Sequence, residues 1–284
     1  MPVGGSCAGL RSADRLSEGN AGPRPALSAY TYFGIILSMA GRKPIVWMGS
    51  SLRDMKAMPS PVKKDFGGAL HGVQEGRAPP NAKKLKGAVE GAVQLSEDFD
   101  GDTYRAVYTT ELEGVVYVLH CFQKKSKAGI ETPKAELDTI EQRLKGARKL
   151  HAQRATRQRS RFDVPACATE QEREMTKEIE YVDGGDNVFA DLGFDEETAA
   201  RLARKSELVS VLYRYQVERN LSQKAFSHLV GIPQPKLSKL YNGKVDGVSV
   251  EKLIDAIARL GGKVTIKVEA HPLANAGRIE LELT

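Results

Sequence analysis

Residues 98–134 read DFDGDTYRAVYTTELEGVVYVLHCFQKKSKAGIETPK, and this stretch decides the fold of the first half of the chain. Residues 104–110 and 115–122 are short runs rich in β-branched and aromatic residues, bounded by Asp and Gly, which predicts two strands. Gly101-Asp102 and Glu113-Gly114 supply the turns. Arg105 falls in the first strand, and Lys124, Lys125 and Lys127 follow the second. Several fixed cations therefore gather at one end of a small sheet, a pattern suited to a polyanion. The plainer alternatives are an Arg105 paired with Asp98, Asp100 or Asp102, and a solvated lysine turn.

Working outward, residues 44–48 have the pattern of a strand, and Ser50-Ser51 is placed to cap a short helix that Pro59 ends. Residues 60–74 carry Val62, Phe66, Ala69, Leu70 and Val73 at helical spacing, with Pro61 in the first turn. Gly76 and Pro79-Pro80 close that helix, and Lys83, Lys84 and Lys86 follow in a loop. Residues 89–95 predict a further strand. Thr132-Pro133 opens a helix through about Lys149, with Leu137, Ile140, Glu141 and Leu144 at helical spacing. The sum is a small α+β unit, an antiparallel sheet with two helices before it and one closing it.

The second signal is a helix-turn-helix from Leu221 to Gly243. Ser222 caps QKAFSHLV, Gly231 makes the turn, and Gln234 begins the second helix. Ala225, Leu229, Ile232, Leu237 and Leu240 are the expected apolar contacts between the two helices. The exposed face offers Gln234, Lys236, Ser238 and Lys239, followed by Asn242 and Lys244. Gln can read adenine through two hydrogen bonds, and Lys can reach guanine or phosphate. Gln223 opens the first helix, where a backbone phosphate would lie. A long helix is expected over 195–218, and residues 264–270 and 278–283 alternate as strands.

The divisions follow from composition. Residues 1–40, rich in Gly, Ser, Ala and Pro, are expected to be disordered, and Met39 is a candidate internal start. Residues 41–150 form the first domain, 151–187 a flexible basic linker with Arg154, Arg157, Arg159 and Arg161, and 188–284 a mostly helical second domain. Residues 39–151 hold 19 Lys and Arg against 14 Asp and Glu, whereas residues 175–284 hold 15 against 16, so the first domain is the basic one. Cys7, Cys121 and Cys167 have neither zinc-site nor disulfide-framework spacing, which fits a reducing cytoplasm. No run approaches the roughly 18 to 20 apolar residues of a membrane span, and no signal-peptide cleavage pattern is seen.

Residues 42–149 resemble RelE-like toxins of the HigB type, through IVWMGSSL, LSEDFDGDTYRAVY, VYVLHCFQKKSKAGIETPK and the terminal IEQRL. The resemblance implies an endoribonuclease that cleaves mRNA on the ribosome without metal or organic cofactor. It places Arg105, Lys124, Lys125 and Lys127 in the catalytic site. Lys83, Lys84 and Lys86 would lead RNA toward it. Residues 188–270 resemble HigA-type antitoxins with a lambda-repressor-like domain, through VFADLGF, LSQKAFSHLVGIPQPKLSKLYNGK and DGVSVEKLIDAIARLGGKVTIKV. That resemblance implies operator DNA as a partner, with dimerisation of the chain. Pro233 departs from the polar residue expected before the second helix, and the family normally encodes toxin and antitoxin separately.

The reading favoured by the sequence is thus a fused toxin–antitoxin protein of the cytoplasm, with no cofactor, metal or membrane partner. Its toxin would be held inhibited by an antitoxin domain, within or between chains, that also represses its own operon. The first alternative is a transcriptional regulator whose toxin-like domain is inactive and serves for protein interaction. Another is a frame-joined product of two genes made by readthrough.

Overall fold

Ile45–Met48 (β1) is buried at all four positions because it lies inside a sheet covered on both faces. The computed structural model describes residues 42–124, 133–163, 179–262, 264–267 and 280–283. After β1 come Ser51–Lys56 (α1), Ser60–Gln74 (α2), Lys83–Lys84 (β2), Ala92–Phe99 (β3), Asp102–Thr109 (β4) and Val116–Lys124 (β5). Lys134–Asp163 (α3) ends the first half. Six strands form one sheet in the order β2-β3-β4-β5-β1-β6, where β6 is Tyr181–Asp183 from beyond the expected linker. Only β1 and β5 run parallel; the other neighbours are antiparallel.

The second half is helical: Val188–Asp191 (α4), Glu196–Glu218 (α5), Gln223–Val230 (α6), Gln234–Tyr241 (α7) and Val250–Arg259 (α8). The hairpin Val264–Lys267 (β7) and Glu280–Leu283 (β8) follows. Asn187, Asp195, Ser222 and Ser249 each accept a backbone N–H at a helix start, so four helices carry side-chain caps. Gly231, at φ +69°, ends α6 in the left-handed region that the tight turn needs. The fold class is α+β, as the sequence predicts.

The sheet separates two apolar layers. One face packs on α3 through Val107, Tyr117, Leu119, Ile140 and Leu144. The other packs on α1 and α2, and its cluster runs without a break from Trp47, Phe66 and Leu70 into Phe189, Leu208, Leu240 and Tyr241 of the second half. The two halves therefore share one core. Each fully buried large side chain there contributes about 1.5–3 kcal/mol.

Several local expectations are corrected. The two-residue β3–β4 turn is Asp100-Gly101, not Gly101-Asp102, with both residues at positive φ as such a hairpin loop requires. Val89 lies in a 3-10 turn, and the third strand starts at Ala92. Ser50 precedes α1 but makes no side-chain cap; its hydroxyl donates to Asp54 instead. Ala225 and Leu229 are exposed, and Phe226 and Val230 make the contacts expected of them. Both pairs are four apart, so spacing alone does not choose the phase of a two-turn helix.

The linker expected over 151–187 is helical at its start, since α3 runs on to Asp163, and extended at its end, where β6 pairs with β1. Arg154, expected in a mobile basic cluster, donates to Asp183 at 2.6 Å and lies over the Tyr181 ring. Residues 1–40 and 164–178, with Cys7 and Cys167, lie outside the described residues. Cys121 is a buried core thiol whose ionisation is pushed far up by burial.

Candidate functional sites

Arg105 points to the α3 side of the sheet, as alternation along β4 dictates from Val107, two residues on. Its cross-strand neighbours on that face are Ser96 and Phe122, and its guanidinium reaches Gln94 Oε1 at 3.5 Å. Burial lowers its pKa from the ordinary value. Thr103 Oγ1 donates to Asp98, one of the carboxylates considered for Arg105, at 2.7 Å. Lys124 is half-buried at the end of β5, opposite Thr103. Lys125 and Lys127 lie outside the described residues.

Beside Arg105 on this face is a polar array that sequence reasoning did not assemble. The His120 ring stacks on Phe122 with centroids 5.1 Å apart. His120 Nε2 is 2.6 Å from Glu136 in the first turn of α3, and Nδ1 is 3.0 Å from Arg143 two turns on. Arg143 also donates to Leu119 O and to Ser50 Oγ, and the Ser50 hydroxyl donates to Asp54. Burial lowers the Arg143 pKa, with Asp54, Cys121, Glu180 and Glu136 opposing.

The three lysines expected in a loop do not share one environment. Lys83 and Lys84 form the edge strand β2 and are exposed. Lys83 pairs with Gln94, on the Arg105 side, and Lys84 with Val93, on the side that carries the second half. Lys86 is exposed just before the 3-10 turn.

Both helices of the pair form where the sequence places them, and Gln234, Lys236 and Lys239 are exposed on α7. Ser238 is half-buried on the same helix. Gln234 Nε2 donates to Gln223 Oε1 at 2.6 Å, which ties the two expected DNA-contacting glutamines together. Asn242 and Lys244 differ from expectation, because they face the first half of the chain. Asn242 Oδ1 accepts from the Asn81 N–H at 2.9 Å, and Lys244 Nζ meets Glu97 at 2.5 Å and Asp65 at 3.5 Å. Both follow α7, in the loop whose Gly243 packs on Gly68 of α2.

This contact rests on glycines. Gly68 of α2 meets Gly243 so closely that a Cβ on Gly68 would lie 2.3 Å from the Gly243 carbonyl oxygen. Gly67 receives the Phe189 ring, 2.7 Å from its would-be Cβ. Each glycine inside a helix costs about 0.8–1.0 kcal/mol relative to Ala, so Gly67-Gly68 in mid-α2 signals close approach by another element. Polar contacts ring the glycines. Trp47 Nε1 donates to Asp191, Lys64 to Asp246, and Arg42 bridges Glu75 and Glu207. Burial alone would raise Glu75, but His71, Ser210 and Arg42 hold its carboxyl below the ordinary value. Lys244 would likewise be lowered by burial, but Glu97 and Asp65 raise it.

Burial pushes Asp65 up to about 6 from 3.8; Lys244 opposes this, and Glu97 and Asp246 add to it. An acid whose folded pKa is raised binds its proton more tightly in the docked state than when exposed. Its contribution is therefore favourable at low pH and is lost as pH rises from about 4 through 6. Glu75 acts in the opposite sense only below its ordinary value of 4.5. Between pH 5 and 7, contact between the halves should weaken by ~1 kcal/mol after allowance for the partial exposure of Asp65. Titration of proteolytically separated halves should show the dissociation constant rising about fivefold over that range. Asp65→Asn should flatten the slope, and an unchanged slope would remove Asp65 as its source.

Comparison with protein families matched two segments of the chain. Residues 53–145 match the family described as phage derived protein Gp49-like, and residues 188–269 match a helix-turn-helix domain. The first match is to a toxin-family domain, so a toxin-family domain and a helix-turn-helix domain are joined in one chain. Such a pairing fits a toxin–antitoxin or regulator fusion, and its second domain implies DNA as a partner. Neither the curated proteins nor the solved structures gave a match. Among the described residues no helix is long and apolar enough to cross a membrane.

Proposed function

We propose that the chain is a self-neutralised toxin–antitoxin protein of the cytoplasm, with a HigB-type toxin over 41–150 and a HigA-type antitoxin over 188–284. The observation that carries this reading is the single core shared by a toxin-family domain and a helix-turn-helix domain. On this reading the toxin cleaves mRNA on the ribosome. A ribose 2′-hydroxyl attacks the adjacent phosphate, and negative charge grows on the phosphoryl oxygens. Arg105 supports that charge with a planar fork of donors, and Lys124, Lys125 and Lys127 add point charges. Lys83, on the Arg105 side of the edge strand, guides the RNA, with Lys84 and Lys86 beside it.

The antitoxin docks on α2, across the sheet from Arg105. Neutralisation on this reading acts by the bulk of the docked domain, which keeps the toxin out of a confined ribosomal site, and not by filling the site. Fusion adds an effective concentration in the mM range for a short connection. Burial of Arg105 favours a second reading, a regulator whose toxin-like domain no longer acts on RNA. Transcript mapping after forced separation of the halves decides between them, since only the toxin reading yields cleaved, translated mRNA.

As a dimer, the helix-turn-helix domain would bind an inverted repeat in its own operator and repress it. Gln234, steadied by Gln223, reads a base, and Lys236, Ser238 and Lys239 meet base edges or phosphate. Gln234→Ala should relax base preference at one position by about 1–3 kcal/mol. Lys239→Ala should weaken binding to all sequences and reduce the salt slope by about 1. A mobility-shift titration at several salt concentrations checks both. Unchanged base preference in Gln234→Ala would mean that this residue reads no base.

A further inference from the structure

The array on the α3 face fixes proton positions that a histidine alone leaves open. A guanidinium can only donate, so His120 Nδ1, 3.0 Å from Arg143 NH1, accepts. Nε2 therefore carries the ring proton and donates it to Glu136 Oε2 at 2.6 Å. Both nitrogens are engaged, and His120 has no free lone pair with which to take a proton from RNA. Glu136 differs. It retains a carboxylate about one-third exposed (31%) at the edge of the face where Arg105, Phe122 and His120 lie in sequence. Among the described residues, the charged and titratable groups that interact with it are His120 and Arg143, with Lys134 in its own helical turn.

Resting on the ribonuclease reading above, we propose that Glu136 is the general base of the toxin site and that His120 and Arg143 are positioning residues that aim it. The 2′-hydroxyl oxygen bonds to phosphorus while its proton passes to the Glu136 carboxylate. The bond from phosphorus to the 5′-oxygen breaks, its electron pair leaves on that oxygen, and water protonates it. The products are a 2′,3′-cyclic phosphate and a 5′-hydroxyl, and Glu136 returns its proton to solvent. Arg105 faces the phosphoryl oxygens from β4. Phe122, between Arg105 and His120, gives the intervening sugar or base an apolar surface. His120 also restrains the carboxylate on the first turn of α3, where a negative charge is favoured by the helix dipole.

The test uses the full chain carrying Gly68→Leu, which forces the second domain off α2, with ribosomes programmed with mRNA as substrate. Single-turnover cleavage is followed as a function of ribosome concentration. Glu136→Gln should lower the limiting rate by about 10²–10⁴ and leave the half-saturating concentration unchanged. Glu136→Asp, which keeps a carboxylate, should retain more activity than Gln. His120→Asn should lose rate by a smaller factor, and the His120→Asn, Glu136→Gln pair should be no slower than Glu136→Gln alone, because His120 acts only through Glu136.

Cleavage by Glu136→Gln within about threefold of its parent, or a loss seen only in half-saturation, overturns the base. Fully additive losses overturn the positioning role of His120 even if Glu136 is required. A parent that leaves every transcript intact removes the ribonuclease reading, and the assignment of Glu136 falls with it.

Discussion

Gly68→Leu in the full chain is expected to separate the two domains without unfolding the first. A Cβ at this position would lie 2.3 Å from the Gly243 oxygen and 3.0 Å from its carbonyl carbon, and neither is the end of a flexible side chain. Gly243, at φ +94°, lies against the same stretch of α2, where a Cβ of its own would meet the Ala69 nitrogen and the Asp65 oxygen at 2.4 Å. Overpacking of this kind typically costs about 1–3 kcal/mol, and a clash between backbones exceeds it. Loss of registration also parts Lys244 from Glu97, whose buried carboxylate then lacks its counter-ion. Within α2 alone, Leu is a better helix former than Gly by about 0.8 kcal/mol, so the first domain should keep or gain stability.

With a protease site placed between residues 164 and 178, the cut wild-type halves should copurify at micromolar concentration and separate on denaturation. The cut Gly68→Leu halves should elute apart. Gly247→Ala serves as control, because nothing lies within 4 Å of that position. Copurification of the Gly68→Leu halves would show that the glycine contact does not hold the domains together.

Arg105→Ala should abolish toxicity of the separated first domain and leave its fold in place. Loss of one donor to a developing oxyanion costs about 10²–10³ in rate. The strand should tolerate the change, because its ladder with β3 and β5 is made by the backbone and its other face stays packed through Tyr104, Ala106 and Tyr108. Arg105→Lys should recover little, since an ammonium lacks the two parallel donors that match a phosphate. Transcript-end mapping with a circular dichroism control distinguishes lost chemistry from lost structure. Full cleavage by a folded Arg105→Ala domain would exclude Arg105 from the mechanism.

The elements legible in the sequence were those set by local rules. The Val62–Phe66–Ala69–Leu70–Val73 stripe, the Ser222 cap and the Gly231 turn each have one physical solution, and each forms as expected. Phase within a short helix is not local, which is why Leu229 was expected inside and Phe226 lies there. The β6 strand escaped notice because three residues beside a Gly-Gly pair carry no periodicity, and it exists only because β1 offers an open edge.

The candidate site was legible in part. Arg105 could be placed on a strand, but its face depended on the register with β5. The Glu136–His120–Arg143 array draws on β5 and two turns of α3, a proximity that spacing along the chain does not encode. Asn242 and Lys244 read as DNA contacts because they follow a recognition helix. Their partners, Asn81, Glu97 and Asp65, belong to the other domain, and only the packed chain brings them together. The glycine pair of α2 did carry a signal, two poor helix formers in mid-helix, whose cause becomes plain with Gly243 and Phe189 in place.

Self-neutralisation is tested most directly by inducing three full-length chains in growing cells and following growth together with the 5′ ends of translated transcripts. The wild-type chain should leave growth and transcripts unaffected. Gly68→Leu should arrest growth with new ends inside coding regions, and Gly68→Leu with Arg105→Ala should restore both. Arrest by the wild-type chain, or intact transcripts from a Gly68→Leu chain whose domains have separated, would contradict a toxin held silent by its own helix-turn-helix domain.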